Sequence, residues 1–185
     1  MTRLKHLIIA AALCLPASSA LADGFVIVSG GLAHECYLAA RDGHIADRDI
    51  RLCTSAIDQD GLESRDRAGT YINRGTLLLK RKAYAEALAD FDQAIRFDPD
   101  IGEGHVNRGA ALLGLHRYAE AVAAVDRGLS LGPSEPEKAY FNRATARELI
   151  GDVPGAYADY SKAVELAPNW VPPRDELKRF KVEPK

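Results

Sequence analysis

The residues of this chain that could do chemistry are few, and the densest group lies near the amino terminus. His34, Glu35, Cys36 and His44 are the only cluster of metal-ligand types in the sequence. Their spacing matches no familiar metal site. The chain also has no phosphate-binding loop and no dinucleotide fingerprint. We therefore predict a protein without catalytic residues, without a metal and without a cofactor.

The first 22 residues have the composition of an export signal. Arg3 and Lys5 form a basic start, an apolar run covers residues 7–15, and Ala20-Leu21-Ala22 supplies the small residues of a cleavage site. The alternative, a transmembrane anchor, would need about 20 apolar residues. We predict a signal peptide over residues 1–22, cleavage near Ala22-Asp23, and a periplasmic or secreted protein.

Net charge limits the classes of partner, and the cysteine content bears on a disulfide. Without Arg3 and Lys5 the mature chain has 22 basic and 26 acidic residues, which argues against nucleic acid or an anionic membrane surface. No later segment is apolar enough to predict membrane insertion. Cys36 and Cys53 remain after cleavage. In an oxidising compartment this even number indicates a disulfide, with two free buried thiols as the alternative.

A triplet recurs at a nearly constant interval. It reads Asn73-Arg74-Gly75, Asn107-Arg108-Gly109 and Asn142-Arg143-Ala144, 34 and then 35 residues apart. Each interval reads as two helices that end before a proline, as in residues 69–80 and 84–97 of the first unit. A period of this length is typical of stacked supersecondary units.

The residues around the triplets resemble the tetratricopeptide repeat (TPR) family. The first full repeat carries the pattern as Tyr71, Gly75, Ala87, Phe91, Ala94 and Pro99. The second has His105, Gly109, Ala121, Val125, Gly128 and Pro133, and the third has Tyr140, Ala144, Ala156, Tyr160, Ala163 and Pro168. His105, Val125 and Gly128 depart from the pattern.

The resemblance implies an all-α fold, a right-handed α-solenoid of antiparallel helix pairs. We expect repeats at residues 68–101, 102–135 and 137–170, and a C-terminal capping helix and tail at 171–185. A flexible segment, 23–31, and a degenerate helical hairpin, 32–66, precede them. In the hairpin Cys36 takes the place of Tyr71 and Cys53 that of Phe91. These places face each other, so a disulfide there would close a loop of about 16 residues and contribute on the order of 3 kcal/mol.

The three residues of the triplet are expected to have different roles. Gly75, Gly109 and Ala144 are expected to let paired helices approach closely. Arg74 and Arg143 are expected to pair with Asp90 and Asp159, whereas Arg108 has Ala124 at the matching place. Carboxylates such as Asp90 and Asp92 are otherwise expected on solvated helix faces.

The asparagines are the candidate contact residues. In the family the first helices line a concave face and the Asn position points into it, so an amide there can both donate to and accept from a peptide backbone. Residues expected on this face are Asn73, Asn107, Asn142, Ile72, Thr76, Leu79, Val106, Leu113, Lys138 and Phe141. The alternative is that this strip packs against the protein's own termini. Of the basic clamp by which some members hold a carboxyl terminus, only Asn107 and Lys138 match.

These patterns predict a non-enzymatic scaffold or adaptor of the bacterial periplasm. It would bind a peptide segment or a partner protein on its concave face. The alternatives are a self-assembling component of the cell envelope and an accessory subunit of an enzyme. Whether the protein is a monomer or a homodimer stays open.

Overall fold

The computed structural model of the chain describes residues 7–9, 24–28, 30–58 and 61–182. Apart from Leu7–Ile9, the predicted signal peptide lies outside this part. The elements in chain order are β1 (Leu7–Ile9), α1 (Gly31–Asp42), α2 (Asp47–Asp58), α3 (Ser64–Lys80), α4 (Tyr84–Phe97), α5 (Gly102–Gly114), α6 (Tyr118–Ser130), α7 (Pro136–Leu149), α8 (Val153–Leu166), α9 (Val171–Leu177) and β2 (Phe180–Val182).

Consecutive helices pack as pairs, and the pairs stack. The pairs are α1–α2, α3–α4, α5–α6 and α7–α8, and α4 contacts α5 as α6 contacts α7. The first helices also meet one another, because α3 contacts α5 and α5 contacts α7. This arrangement confirms the all-α solenoid of helix pairs and places α3, α5 and α7 along one face. None of the described helices is both long and apolar enough to cross a bilayer.

The turn inside each repeat uses the same backbone device. Lys82, His116 and Gly151 occupy matching places and have φ values of 61°, 60° and 85°. The next residue then donates back to the first helix, as Ala83 N–H does to Leu78 O at 2.9 Å. This left-handed turn satisfies carbonyls at the helix end, and glycine adopts it without a Cβ penalty.

The small residues of the triplets permit close helix contact, as expected. A Cβ built on Gly75 would stand 2.6 Å from Phe91 Cε1, and one on Gly109 would stand 2.4 Å from Val125 Cγ2. The nearest neighbours are therefore the large side chains of Phe91 and Val125 on the second helices. Phe91 and Val125 are fully buried in the interior of their pairs.

The arginines bridge helices in two ways. Arg74 donates two hydrogen bonds to Asp90, at 2.8 and 2.7 Å, and Arg143 does the same to Asp159. Asp90 is only 5% exposed, so its expected place on a solvated face is wrong. Burial raises the pKa of the Asp90 carboxyl, and the bonds from Arg74 oppose that rise.

A second set of pairs joins neighbouring repeats. Arg108 donates to Asp92 of the preceding repeat at 2.7 Å, and Arg143 also donates to Asp126 at 2.6 Å. Asp92 and Asp126 are 34 residues apart in the sequence. Arg108 thus has a partner although Ala124 is at the place of Asp90, since the carboxylate comes from the neighbouring pair.

The amino-terminal hairpin is closed by the predicted disulfide. Cys36 of α1 and Cys53 of α2 are bonded, with their Cα atoms 4.8 Å apart. Both are fully buried with Ala40 and with Leu77 of α3. The bond therefore ties the hairpin together at the surface where it meets the first full repeat.

The carboxyl-terminal cap is a short helix followed by a strand. Helix α9 ends at Leu177, and β2 pairs antiparallel with β1, with Ile8 opposite Lys181. Helix α9 takes the place of the expected capping helix and β2 lies in the tail, and the partner strand β1 lies within the predicted signal peptide. Phe180 inserts between Tyr157 and Tyr160 of α8, with ring centroids 5.8 and 5.9 Å away. Burial of this ring outweighs continuation of a helix.

Candidate functional site

The face formed by α3, α5 and α7 is occupied at one end by the chain's own residues 24–28, called the arm below. Val26 N–H donates to Asn73 Oδ1 at 2.9 Å, and Asn73 Nδ2 donates to Val26 O at 2.8 Å. Gly24 O accepts from Asn107 Nδ2 at 2.5 Å and from Thr76 Oγ1 at 3.0 Å. Two asparagines thus hold the backbone of a peptide segment without reading its side chains.

The side chains of the arm alternate as in a strand. Val28 is fully buried against Ala33 and Ala56 of the hairpin, while Ile27 is 73% exposed. Phe25 points toward the hairpin, with its ring 5.7 Å from that of Tyr37. Val26 and Val28 therefore face Gly69 of α3, and Ile27 between them faces away.

Gly69 of α3 makes room for the arm. A Cβ at this position would stand 2.9 Å from Val28 Cγ2 and 3.0 Å from Val26 Cγ1. Contacts this short require the valines to move, so an alanine would push the arm away from α3. The face formed by α3, α5 and α7 is called the groove. Near Gly69 its shape fits β-branched side chains.

The predicted apolar strip is not exposed. Ile72, Leu79, Val106 and Phe141 are all buried, and only Leu113 and Lys138 are partly exposed. The arm packs against the cluster that contains Ile72 and Leu79. Phe141 is covered from the other end, because Trp170 lies 5.1 Å from its ring. Part of the strip thus packs against segments near both termini, whereas Val106 packs among Val125, Leu129 and Ala139 of the helix pairs.

Asn142 lies at the same place on α7 but has different surroundings. Its side chain is 2% exposed, and Nδ2 has no hydrogen-bond partner among the described residues. Asn107 Oδ1 is likewise buried and without a partner there. Buried polar atoms are nearly always paired, so each such case calls for a reason.

A cavity of about 610 Å³ opens beside the arm. The arm forms one wall with Phe25, Val26 and Ile27. The other wall consists of residues at the amino-terminal ends of α3, α5 and α7, and it carries Asp66, Glu103 and Glu135 among others. The cavity therefore lies beside the same three helices, α3, α5 and α7, that carry Asn73, Asn107 and Asn142.

The histidine and cysteine residues near the amino terminus serve the structure. His34 Nδ1 lies 3.0 Å from Val28 O, and Cys36 is in the disulfide. In the described ranges, no three His, Cys, Asp or Glu side chains are close enough to hold a metal ion.

One catalytic-looking motif does occur, and sequence reasoning passed over it. Residues 128–132 read Gly-Leu-Ser-Leu-Gly, the pattern of a serine hydrolase elbow, in which a strand turns sharply into a helix. Here the serine is the last residue of α6, and Ser130 Oγ donates to Arg127 O at 2.7 Å. The motif ends a helix, so this serine lacks the geometry of an elbow.

Comparison with known proteins agrees with this architecture. Two tetratricopeptide repeat models match, one over residues 68–101 and one over residues 106–169, and together they cover more than half of the chain. A search of curated protein sequences finds no significant match.

Solved structures of TPR domains are similar to this one. The TPR domain of Arabidopsis OM64 has a TM-score of 0.60 at 25% identity, covering 63% of this chain and 95% of its own. The first TPR of Spaghetti (RPAP3), bound to an HSP90 peptide, has a TM-score of 0.59 at 26% identity, covering 64% and 94%. MamA, at 15% identity, shows the same fold over 81% and 82%, with a TM-score of 0.65. The chain belongs to the tetratricopeptide repeat family.

Proposed function

We propose that this protein is a non-enzymatic adaptor, exported to the periplasm, that holds an extended segment of a partner protein on the face formed by α3, α5 and α7. The observation that carries the proposal is the pair of hydrogen bonds between Asn73 and the backbone of Val26. The groove already binds a peptide segment in this structure, and that segment is the chain's own arm.

The mode of binding favours extended segments over helices. Asn73 bonds both backbone groups of one residue, which a helix would need for its own hydrogen bonds. Asn107 adds a bond two residues away, at Gly24. Selectivity then comes from the packing of alternate side chains, as at Gly69.

The similarity to peptide-bound RPAP3 domains supports a peptide as the partner. Details of those complexes do not carry over, because Asn107 and Lys138 are the only matches to a carboxylate clamp. Lys138 is also paired with Glu135 at 2.6 Å. An internal segment, held by its backbone, fits this groove better than a free carboxyl terminus.

The signal-like residues 1–22 and the disulfide support export, since structural disulfides persist in oxidising compartments. Cleavage near Ala22-Asp23 would leave the arm at the very start of the mature chain. An arm with a free end is easier to displace than an internal loop, because only one end is tethered.

The experiment uses the tagged mature chain, beginning at Asp23, to recover partners from envelope extract. The double variant Asn107→Ala/Asn142→Ala leaves the Asn73 contacts with the arm in place. We expect it to lose the partners that the unaltered chain retains. The matched control is Asn169→Ala, an exposed asparagine outside the groove. Equal recovery by the double variant and the control would refute binding in the groove.

A further inference from the structure

The arm has one backbone edge that the rest of the described chain does not use. In an extended segment, the N–H and C=O groups of successive residues point to opposite edges. Those of Val26 are bonded to Asn73. The N–H and C=O groups of Phe25 and Ile27 therefore lie on the other edge, and they have no hydrogen-bond partner within the described ranges. An unpaired strand edge is a template for pairing with another extended chain.

The cavity of about 610 Å³ adjoins these two residues. Phe25 and Ile27 both line it, together with Ile101 at the start of α5. Because Ile27 is largely exposed, the arm offers an apolar side chain as well as unpaired backbone groups. Ligand sites in proteins commonly have volumes of about 300–1,000 Å³. The cavity therefore has room for a ligand that pairs with the arm.

The wall opposite the arm carries two carboxylates that are available to a cation. Asp66 lies in the first turn of α3 and Glu103 in the first turn of α5. Glu103 accepts a hydrogen bond from Ser134 N–H at 2.9 Å. Neither carboxylate has a cationic partner in the part of the chain that the structure describes. A positively charged group that enters the cavity can therefore pair with them.

The remaining charges of the lining do not cancel these two. Glu135 is already paired with Lys138 at 2.6 Å. Arg65 also lines the cavity, but it is exposed and forms no described ion pair with its neighbour Asp66. Two carboxylates thus stand against one arginine, and this balance favours an occupant of positive charge.

We propose that the cavity binds an extended, basic segment of the partner protein, which adds a strand to the free edge of the arm and places a lysine or arginine against Asp66 and Glu103. This inference rests on the proposed function and names the chemistry of the partner. Backbone bonds to Phe25 and Ile27 hold the segment, and its alternate side chains provide the selectivity. We therefore expect basic and apolar residues in alternation.

A second copy of the chain fits this edge less well. The segment that it would offer for the same pairing is its own arm, and residues 24–28 contain no basic residue. Pairing of two arms would leave Asp66 and Glu103 without a cation. A basic segment of another protein satisfies both the backbone edge and the carboxylates.

The first test uses the unaltered mature chain, beginning at Asp23, and a labelled peptide of alternating valine and lysine. We expect it to bind, to bind less tightly at high salt, and to slow amide hydrogen exchange at Phe25 and Ile27. The N–H of Val26 is already bonded to Asn73, so its exchange should change less. Binding that leaves Phe25 and Ile27 exchanging freely would overturn the proposal.

Three control peptides of the same length separate charge from strand pairing. One has glutamate in place of lysine and should bind at least about tenfold more weakly. The other two are N-methylated, one at the valines and one at the lysines, so each lacks the donors of one edge but keeps the charge. Strand pairing requires at least one of them to bind more weakly. Equal binding by the glutamate peptide, or by both methylated peptides, would overturn the proposal.

The second test changes the acidic wall. In Asp66→Asn/Glu103→Gln the new amide at residue 103 keeps an oxygen for Ser134 N–H. We expect about tenfold weaker binding of the lysine peptide, since two ion pairs are lost. The matched control is Glu86→Gln, an exposed acid in the first turn of α4 outside the cavity, which should leave the affinity unchanged. Equal affinities of the double variant and the control would overturn the role of the two carboxylates.

Partner recovery from envelope extract separates this inference from the proposed function. Loss of the same partners by Asp66→Asn/Glu103→Gln and by Asn107→Ala/Asn142→Ala supports both. Loss by the asparagine variant alone keeps the groove as the binding site but overturns the role of the cavity. Loss by neither overturns both. A dimer of the mature chain that the lysine peptide does not dissociate would assign the edge to a second copy, and would also overturn the inference.

Discussion

The hairpin α1–α2 and the repeat pair α3–α4 take equivalent places in the solenoid but are held closed in different ways. In the hairpin, Cys36 and Cys53 are bonded and their neighbours are small residues such as Ala40. In the repeat, the matching Phe91 packs its ring against Gly75, and Arg74 bridges to Asp90. A covalent bond thus replaces the apolar contacts that a short, alanine-rich hairpin does not provide.

This difference affects the groove, because the arm contacts both the hairpin α1–α2 and the repeat pair α3–α4. Val28 packs against the hairpin at Ala33 and Ala56, whereas Val26 is held by Asn73 of the repeat. Loss of the disulfide in the hairpin should therefore release Val28 of the arm while leaving the repeats folded.

Removal of the disulfide should have the largest effect. The variant Cys36→Ser/Cys53→Ser is expected to lose about 3 kcal/mol of unfolding free energy, because the unfolded chain regains the freedom of the closed loop. Urea unfolding measures the loss, and hydrogen exchange should show faster opening of α1, α2 and the arm than of α5–α8. Cys14→Ser, in the predicted signal peptide, is the control and should leave the mature protein unchanged. Uniform opening of all helices would show that the hairpin is not held separately.

Crowding a repeat at its glycine should have an intermediate effect. In Gly109→Ala the new Cβ would meet Val125 at 2.4 Å and the carbonyl oxygen of Ala121 at 3.2 Å. We expect a loss of about 1–3 kcal/mol from overpacking, despite the better helix propensity of alanine. The third repeat has Ala144 at this place, so Ala144→Gly should cost only about 1 kcal/mol. A stabilised Gly109→Ala would mean that the pair can widen freely.

Relief of a strained turn should have the smallest effect. Lys82 is exposed with φ at 61°, where the third repeat has Gly151 and the hairpin ends α1 with Gly43. Lys82→Gly should raise the unfolding free energy by about 0.5–1 kcal/mol, since a left-handed residue costs more than the added flexibility of glycine. Differential scanning calorimetry would record a small rise in melting temperature. The reverse change, Gly151→Ala, should lower it.

Much of the fold could be predicted from local patterns. The period of 34 residues, the prolines and the small residues of the triplets predict helix pairs, because these features act within one or two neighbouring helices. The disulfide followed from aligning the hairpin with a repeat. The acidic partner of Arg108 was missed, since Asp92 belongs to the preceding pair and no rule within one repeat points to it.

The candidate site was only partly predictable. The asparagines were identified from the repeat, but the sequence left open whether a partner or the chain's own termini cover them. Residues 24–28 carry a weak signal, a glycine followed by Phe25 and three consecutive β-branched residues, which fits an extended segment anywhere in the molecule. Which surface such a segment reaches depends on contacts about 50 residues away, as between Val26 and Asn73.

The sequence by itself determined the family, the helix pairs and the three asparagines, because each depends on residues repeated at a short and regular spacing. The tertiary structure decided what those asparagines touch. It placed the arm on Asn73 and Asn107 and left the buried amide of Asn142 without a partner in the described part. The three equivalent asparagines have different contacts because the array of repeats ends. The segments beyond its ends pack against some repeats and not against others.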